Sequence, residues 1–160
     1  MLTSLSIRNV VLIDKLDLDF KSGLSVLTGE TGAGKSILLD SLGFVLGNRG
    51  DAGLIRQGED KLSVTATFDL PKKKQELENI FNEYELDFPE DELIIKRTLN
   101  RDGKGKIFVN DQTVSVKVLK EIGRCLVEVH GQFDNQGLLN PANHQSVLDS
   151  FGGYDEQRAE

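Results

Sequence analysis

Leu5 and Ile7 alternate with polar neighbours, and Leu16, Leu18 and Phe20 alternate with Asp17 and Asp19. A period of two is the mark of strands with one wet face, so two strands are predicted at the start of the chain. Lys21, Ser22 and Gly23 supply a turn. Residues 24–28 (LSVLT) are short, apolar-rich and run straight into glycines, which predicts a buried strand ending in a functional loop. From Gly34 to Leu46 the spacing changes: Leu38, Leu42, Val45 and Leu46 recur at helical intervals, and Gly47 is a natural stop. Residues 47–60 are glycine-rich and polar and read as a surface loop.

The alternation then returns. Val64, Ala66, Phe68 and Leu70 are interleaved with Ser63, Thr65, Thr67 and Asp69, a half-buried strand. Pro71 can open a helix, where its missing N–H costs nothing. Leu77, Ile80, Phe81 and Tyr84 lie on one stripe of that helix. Residues 93–99 and 106–109 predict strands joined by a turn at 100–105. Asn110 and Asp111 turn the chain into Thr113 and Val114. Ser115 is placed to cap a helix bearing Val118, Leu119 and Ile122, with Gly123 as its end. A short strand over 126–129, a helix over 143–151 and a polar tail complete the reading. No repeat or low-complexity tract interrupts the chain. The order of elements predicts an α/β core with an antiparallel β wing.

Composition narrows the classes. With 160 residues there is room for about one domain. Cys125 is the single cysteine, which excludes an internal disulfide framework. No run approaches the ~20 apolar residues of a membrane span, and MLTSLSIRN lacks the basic start and apolar run of a secretory signal, so a cytoplasmic location and no membrane partner are expected. The net charge of −7 argues against coating nucleic acid by bulk charge. That charge is uneven: residues 1–50 are neutral overall, 51–100 carry −5 and 101–160 carry −2. An anion is best tolerated in the first third, where many of the 16 glycines also begin to cluster.

The chemistry is concentrated there. Gly29, Glu30, Thr31, Gly32, Ala33, Gly34, Lys35 and Ser36 fit G-x-x-x-x-G-K-[ST] at every fixed position, with a predicted strand before and a helix after. Glycines let backbone N–H groups turn inward around phosphate oxygens, and the following helix, with Ile37 in its first turn, points its positive end at the same anion. Lys35 is suited to the β- and γ-phosphates and the Ser36 hydroxyl to Mg²⁺. The predicted cofactors are therefore ATP and Mg²⁺. A second acidic element, four apolar residues followed by Asp or Glu, is not found. Asp69 follows a half-polar strand and Glu128 interrupts one. No LSGG-like signature is present. This stretch can hold phosphate but lacks recognisable parts for completing hydrolysis.

Beyond the phosphate loop, the segments SIRNVVLI, TGETGAGKSILLDSL, GLIRQG and HGQ together resemble the N-terminal part of the bacterial RecN family of DNA repair proteins, SMC-like ATPases, over residues 1–153. The resemblance implies a P-loop ABC/SMC-type ATPase head of α/β fold, of which this is the N-terminal lobe with an antiparallel β wing. Residues 154–160 would begin a linker or coiled coil. It implies DNA double-strand-break repair and recombination as the setting. Its implied partners are a C-terminal lobe of the same protein bearing the signature and acidic motifs, a second head in a homodimer across sandwiched ATP, and DNA. Gln132 resembles the glutamine-loop residue that meets Mg²⁺ and the attacking water, a catalytic role shared with Lys35; a one-step shift of the loop would give that place to His130. Phe133 departs from the family's pattern. Arg49 and Arg56 resemble arginines that approach nucleotide or DNA, with solvated loop positions as the other reading. Arg8 and Asn9 would lie near base or ribose, or be ordinary strand-end residues. Cys125 reads as core filler, His144 as a surface residue, and Lys72, Lys73 and Lys74 as a solvated helix start or a phosphate contact. Two other functions stay open: a nucleotide-controlled structural switch without hydrolysis, and another ABC-type ATPase subunit.

Overall fold

The computed structural model describes residues 1–28, 33–70 and 75–127, which belong to one unit, Met1–Val127. Six strands form one sheet: β1 (Leu2–Val10), β2 (Ile13–Asp19), β3 (Lys61–Asp69), β4 (Glu92–Asn100), β5 (Ile107–Val109) and β6 (Gln112–Thr113). Their spatial order is β2-β1-β3-β4-β5-β6, and every pairing is antiparallel. The wing expected from the alternating segments is therefore the body of the described fold. Three helices accompany it: α1 (Ala33–Val45), α2 (Gln75–Glu83) and α3 (Val116–Leu126).

Alternation decides which face is dry. In β3, Leu62, Val64, Ala66 and Phe68 are buried while Lys61 and Asp69 are exposed. Leu5 and Ile7 of β1 and Leu93, Ile95 and Leu99 of β4 join them on the same face. Helix α1 lies against β1, β3 and β4, contributing Ile37, Phe44 and Val45 to the core. Helices α2 and α3 pack on each other, and Leu77, Phe81, Val118, Leu119 and Ile122 are buried. Each such fully buried side chain stabilises by about 1.5–3 kcal/mol relative to exposure.

The ends of the helices follow local chemistry. Gly47 adopts φ +108° after α1, a conformation side-chain-bearing residues avoid, and its N–H bonds the Phe44 carbonyl. Ser115 caps α3 by accepting a hydrogen bond from the Val118 N–H. Gly123 does not end that helix, contrary to the sequence expectation. It sits inside α3, where a Cβ would lie 2.7 Å from the Leu46 carbonyl oxygen. The glycine is there so that α3 can approach the turn after α1. Consequently Leu126 is helical and the strand expected at 126–129 does not begin there.

Two further expectations are corrected. Residues 24–28 are not a buried strand: they pair with no strand among the described residues, and Leu24, Val26 and Leu27 are exposed, Leu24 by 93%. An apolar run becomes a buried strand only when flanking strands cover it, and the described sheet offers none. Residues 47–60 are not simply a surface loop. Asp51 caps a 3-10 turn at Ala52–Leu54, and Ile55 is buried and bridges to Val10. That bridge secures the β1–β2 turn, in which Asn9 and Val11 have φ of 57° and 48°. A β-branched residue held left-handed costs on the order of 1–3 kcal/mol. Hydrogen bonds from the Val11 N–H to the Leu54 carbonyl and from the Arg56 N–H to the Asn9 carbonyl hold it.

Candidate phosphate site at the start of helix α1

Helix α1 begins at Ala33 and presents Gly34, Lys35 and Ser36 in its first turn. Gly34 and Ser36 are exposed and Lys35 is half-buried. No acidic residue occupies that turn. The first N–H groups of a helix lack partners within it and carry the positive end of its dipole. A helix start with a lysine and no acidic residue in its first turn suits an anion. Among the described residues, a Cβ at Gly34 would meet nothing within 4 Å. Ile37 turns its side chain into the core; what it can offer a ligand is its backbone amide. The buried Ser41 hydroxyl donates back to the Ile37 carbonyl at 2.6 Å and is satisfied within the helix.

The residues fit Mg²⁺ only as a shared guest. Ser36 offers one exposed hydroxyl oxygen, a hard donor of the type Mg²⁺ accepts. Among the described residues no group of three Asp, Glu, His or Cys side chains could hold a metal alone. Phosphate oxygens and water would have to complete the shell, the usual arrangement for this ion.

The other sequence candidates divide. Gly29, Glu30, Thr31 and Gly32 lie outside the described residues, as do Gln132, His130, Phe133, His144 and Lys72, Lys73 and Lys74. Arg8 is engaged within the sheet: its Nη2 donates to both Asp17 carboxylate oxygens, at 2.7 and 3.0 Å, and its Nη1 to the carbonyls of Ile7 and Leu16. Those bonds hold the Asp17 carboxyl below its ordinary value, with help from Ser6. The Asn9 amide donates to Glu59 and to the Lys61 carbonyl. Arg56 donates from Nη1 to the Leu12 carbonyl, fastening the β1–β2 turn, while Arg49 is exposed. Cys125 is half-buried, and that burial pushes its thiol pKa up, the opposite of an activated nucleophile.

One residue escaped the sequence reading. Arg97 stands on the dry face of β4, between Ile95 and Leu99 and opposite Val64. It is only 9% exposed. The signal was available: a cation at the period-2 position where hydrocarbon is expected.

Comparison with known proteins fits this geometry. A family model described as an AAA domain matches residues 4–152. The DNA repair protein RecN of Bacillus subtilis is 39% identical over 99% of this chain, and that of Vibrio cholerae 40% identical over 96%. The chain spans 27% of the length of each. A solved structure described under ATP-driven dimerization and DNA-stimulated activation of SMC ATPases superposes with a TM-score of 0.64 at 18% identity, over 94% of this chain and 98% of the other. The SMC head domain of Thermotoga maritima gives 0.57 at 18% identity, over 75% and 41%. The antiparallel sheet with α1 against its dry face is thus the fold of SMC-type ATPase heads, and the chain belongs to the AAA domain family.

Proposed function

We propose that this chain is the ATP-binding part of the head of a RecN-like DNA repair and recombination ATPase. The observation that carries the reading is the start of α1. The second half of a complete phosphate-loop motif, Gly34-Lys35-Ser36, forms the start of a helix whose first turn holds no acidic residue, with Gly34 and Ser36 exposed and Lys35 half-buried. Gly29, Gly32 and Gly34 would let backbone amides cradle the phosphates. Lys35 would offset charge on the β- and γ-phosphates, and the Ser36 hydroxyl would help hold Mg²⁺, which when bound neutralises phosphate charge. Gln132 would position water for attack. Identity near 40% to RecN proteins supports this assignment.

The head is incomplete in this chain. No acidic metal cluster occurs among the described residues, and Leu24, Val26, Leu27 and Leu39 expose apolar surface near the loop. A C-terminal lobe would cover that surface and supply the signature and acidic motifs. Two heads would then engage across ATP while DNA is held by the assembly, in the cytoplasm on the nucleoid.

Lys35→Ala is expected to weaken ATP binding measured by calorimetry; unchanged affinity would remove the phosphate-site assignment. Residues 1–160 alone are expected to show no ATPase activity above background, and a C-terminal lobe added in trans to restore it. Robust hydrolysis by the isolated chain would sink the half-head reading. ATP binding without turnover in the completed protein would instead identify a structural switch.

A further inference from the structure

The dry face of β4 reads Leu93, Ile95, Arg97, Leu99, in register with Phe68, Ala66, Val64 and Leu62 of β3. Seven hydrocarbons and one guanidinium share these positions. Burying a cation is costly unless it is paired and hydrogen-bonded, and a hydrocarbon of similar volume usually serves stability as well or better. Among the described residues no carboxylate forms a salt bridge with Arg97. Its Nη1 donates instead to two backbone carbonyls, Phe44 at 2.6 Å and Asn48 at 2.7 Å, and its guanidinium carbon lies 4.2 Å over the Phe44 ring.

Those carbonyls belong to the far end of α1 and the turn after it. Helix α1 has no basic residue in its own last turn, so Arg97 brings the complementary charge from the sheet. The socket is built for it. The Asn48 N–H bonds the Gly43 carbonyl at 2.9 Å. A Cβ at Gly43 would meet the Asn48 amide at 2.5 Å, and one at Gly50 would meet the Phe44 ring at 2.5 Å. Two directional bonds from one buried side chain tie the last turn of the helix and the turn after it to the sheet. A helix of 13 residues is a rod about 20 Å long, and because its body rests on β1, β3 and β4 a shift at one end is carried to the other.

We propose that Arg97 is a positioning residue for the candidate phosphate site: it clamps the C-terminal carbonyls of α1 to β4 and thereby sets where Gly34, Lys35 and Ser36 stand. The proposal rests on reading the start of α1 as that site. It goes further in assigning a residue outside the motif, on a different element, to the alignment of the amides with phosphate.

The test uses the full chain with Mg-ATP calorimetry, well below the melting midpoint, alongside thermal melts. Arg97→Met keeps the hydrocarbon stem and removes both donors. It is expected to weaken ATP binding about fivefold, the scale of a misaligned helix terminus. Arg97→Lys should recover most of that loss, because a single ammonium can replace a single Nη1 donor. A purely structural residue would lower the melting midpoint and leave the affinity of the folded protein unchanged; that result overturns the clamp. If Arg97→Met does not fold, Phe44→Leu removes the ring beneath the guanidinium while keeping both carbonyls. Affinity lowered about twofold then supports the clamp and unchanged affinity overturns it. Lys35→Ala run in parallel separates the failures. If it weakens binding and the Arg97 and Phe44 variants do not, the clamp alone falls. If it leaves binding unchanged, the phosphate-site reading falls and the clamp with it.

Discussion

Gly47→Ala should cost about 3 kcal/mol, and the structure divides that figure into two parts. The first is backbone: φ of +108° is reached freely only without a Cβ, and an L-residue forced left-handed loses roughly 1–2 kcal/mol. The second is contact. The new Cβ would stand 2.6 Å from Lys120 Cγ, 3.2 Å from its Cα and 3.3 Å from its backbone nitrogen. The Cγ can rotate away, but the backbone of α3 cannot move without disturbing the core, and overpacking of this kind adds about 1 kcal/mol or more. Gly58 supplies the control. It has φ of +92° with nothing within 4 Å of its Cβ position, so Gly58→Ala should show the backbone part alone. Denaturant titration followed by circular dichroism measures both variants against the parent. Adding Lys120→Ala to Gly47→Ala should recover part of the excess, as a double-mutant cycle would report. Equal losses for Gly47→Ala and Gly58→Ala would refute the close approach of α3 to the end of α1.

Phe81→Ala should lose roughly 3–5 kcal/mol in the same titration, since the ring is fully buried and meets Phe88 edge-on at 5.1 Å; a loss under 1 kcal/mol would mean α2 is not seated on the core. The Arg8–Asp17 pair should give a modest acid dependence. Because the folded carboxyl is held below its ordinary value near 3.8, its contribution is complete above that value and disappears as pH falls through the lower folded value. Asp17→Asn should therefore reduce stability at neutral pH and converge with the parent in acid, and parallel curves would contradict the pairing. In a completed head, Gln132→Ala should lower kcat with nearly normal ATP affinity, and a normal turnover rate would move the role to His130.

Legibility tracked how local the physics was. β3 could be read residue by residue because Leu62 to Phe68 face one core and water on the other side, and alternation encodes nothing else. Ser115 and Gly47 were readable because capping is settled within a few residues. Residues 24–28 misled because apolar content reports suitability for burial, while burial itself depends on strands supplied from elsewhere. Gly123 misled because its reason lies in the Leu46 carbonyl, distant in sequence. At the candidate site, the motif pointed to Gly34, Lys35 and Ser36, which stand in the first turn of α1. Arg97 was marked only as a cation at a period-2 position meant for hydrocarbon; its partners, backbone carbonyls some fifty residues earlier, leave no trace in the side-chain pattern.

Strand order also governs how such a chain can fold. In the described sheet β4, β5 and β6 follow one another through short turns, and β1 meets β2 across a tight one. The most distant pairing is β1–β3, joining Leu2–Arg8 to Ser63–Phe68, while β3 and β4 pair across the segment that carries α2. Closing a loop of about 50 residues costs on the order of 3.5 kcal/mol in chain entropy, so this pairing is the slow step topology imposes. Helix α1 and the glycines before it lie inside that loop. During synthesis the two hairpins can form on either side of it, but the surface on which α1 rests is assembled only after β3 has emerged and found β1. The start of α1 is therefore seated only once β1 and β3 have paired, and a ligand held there would report a finished sheet.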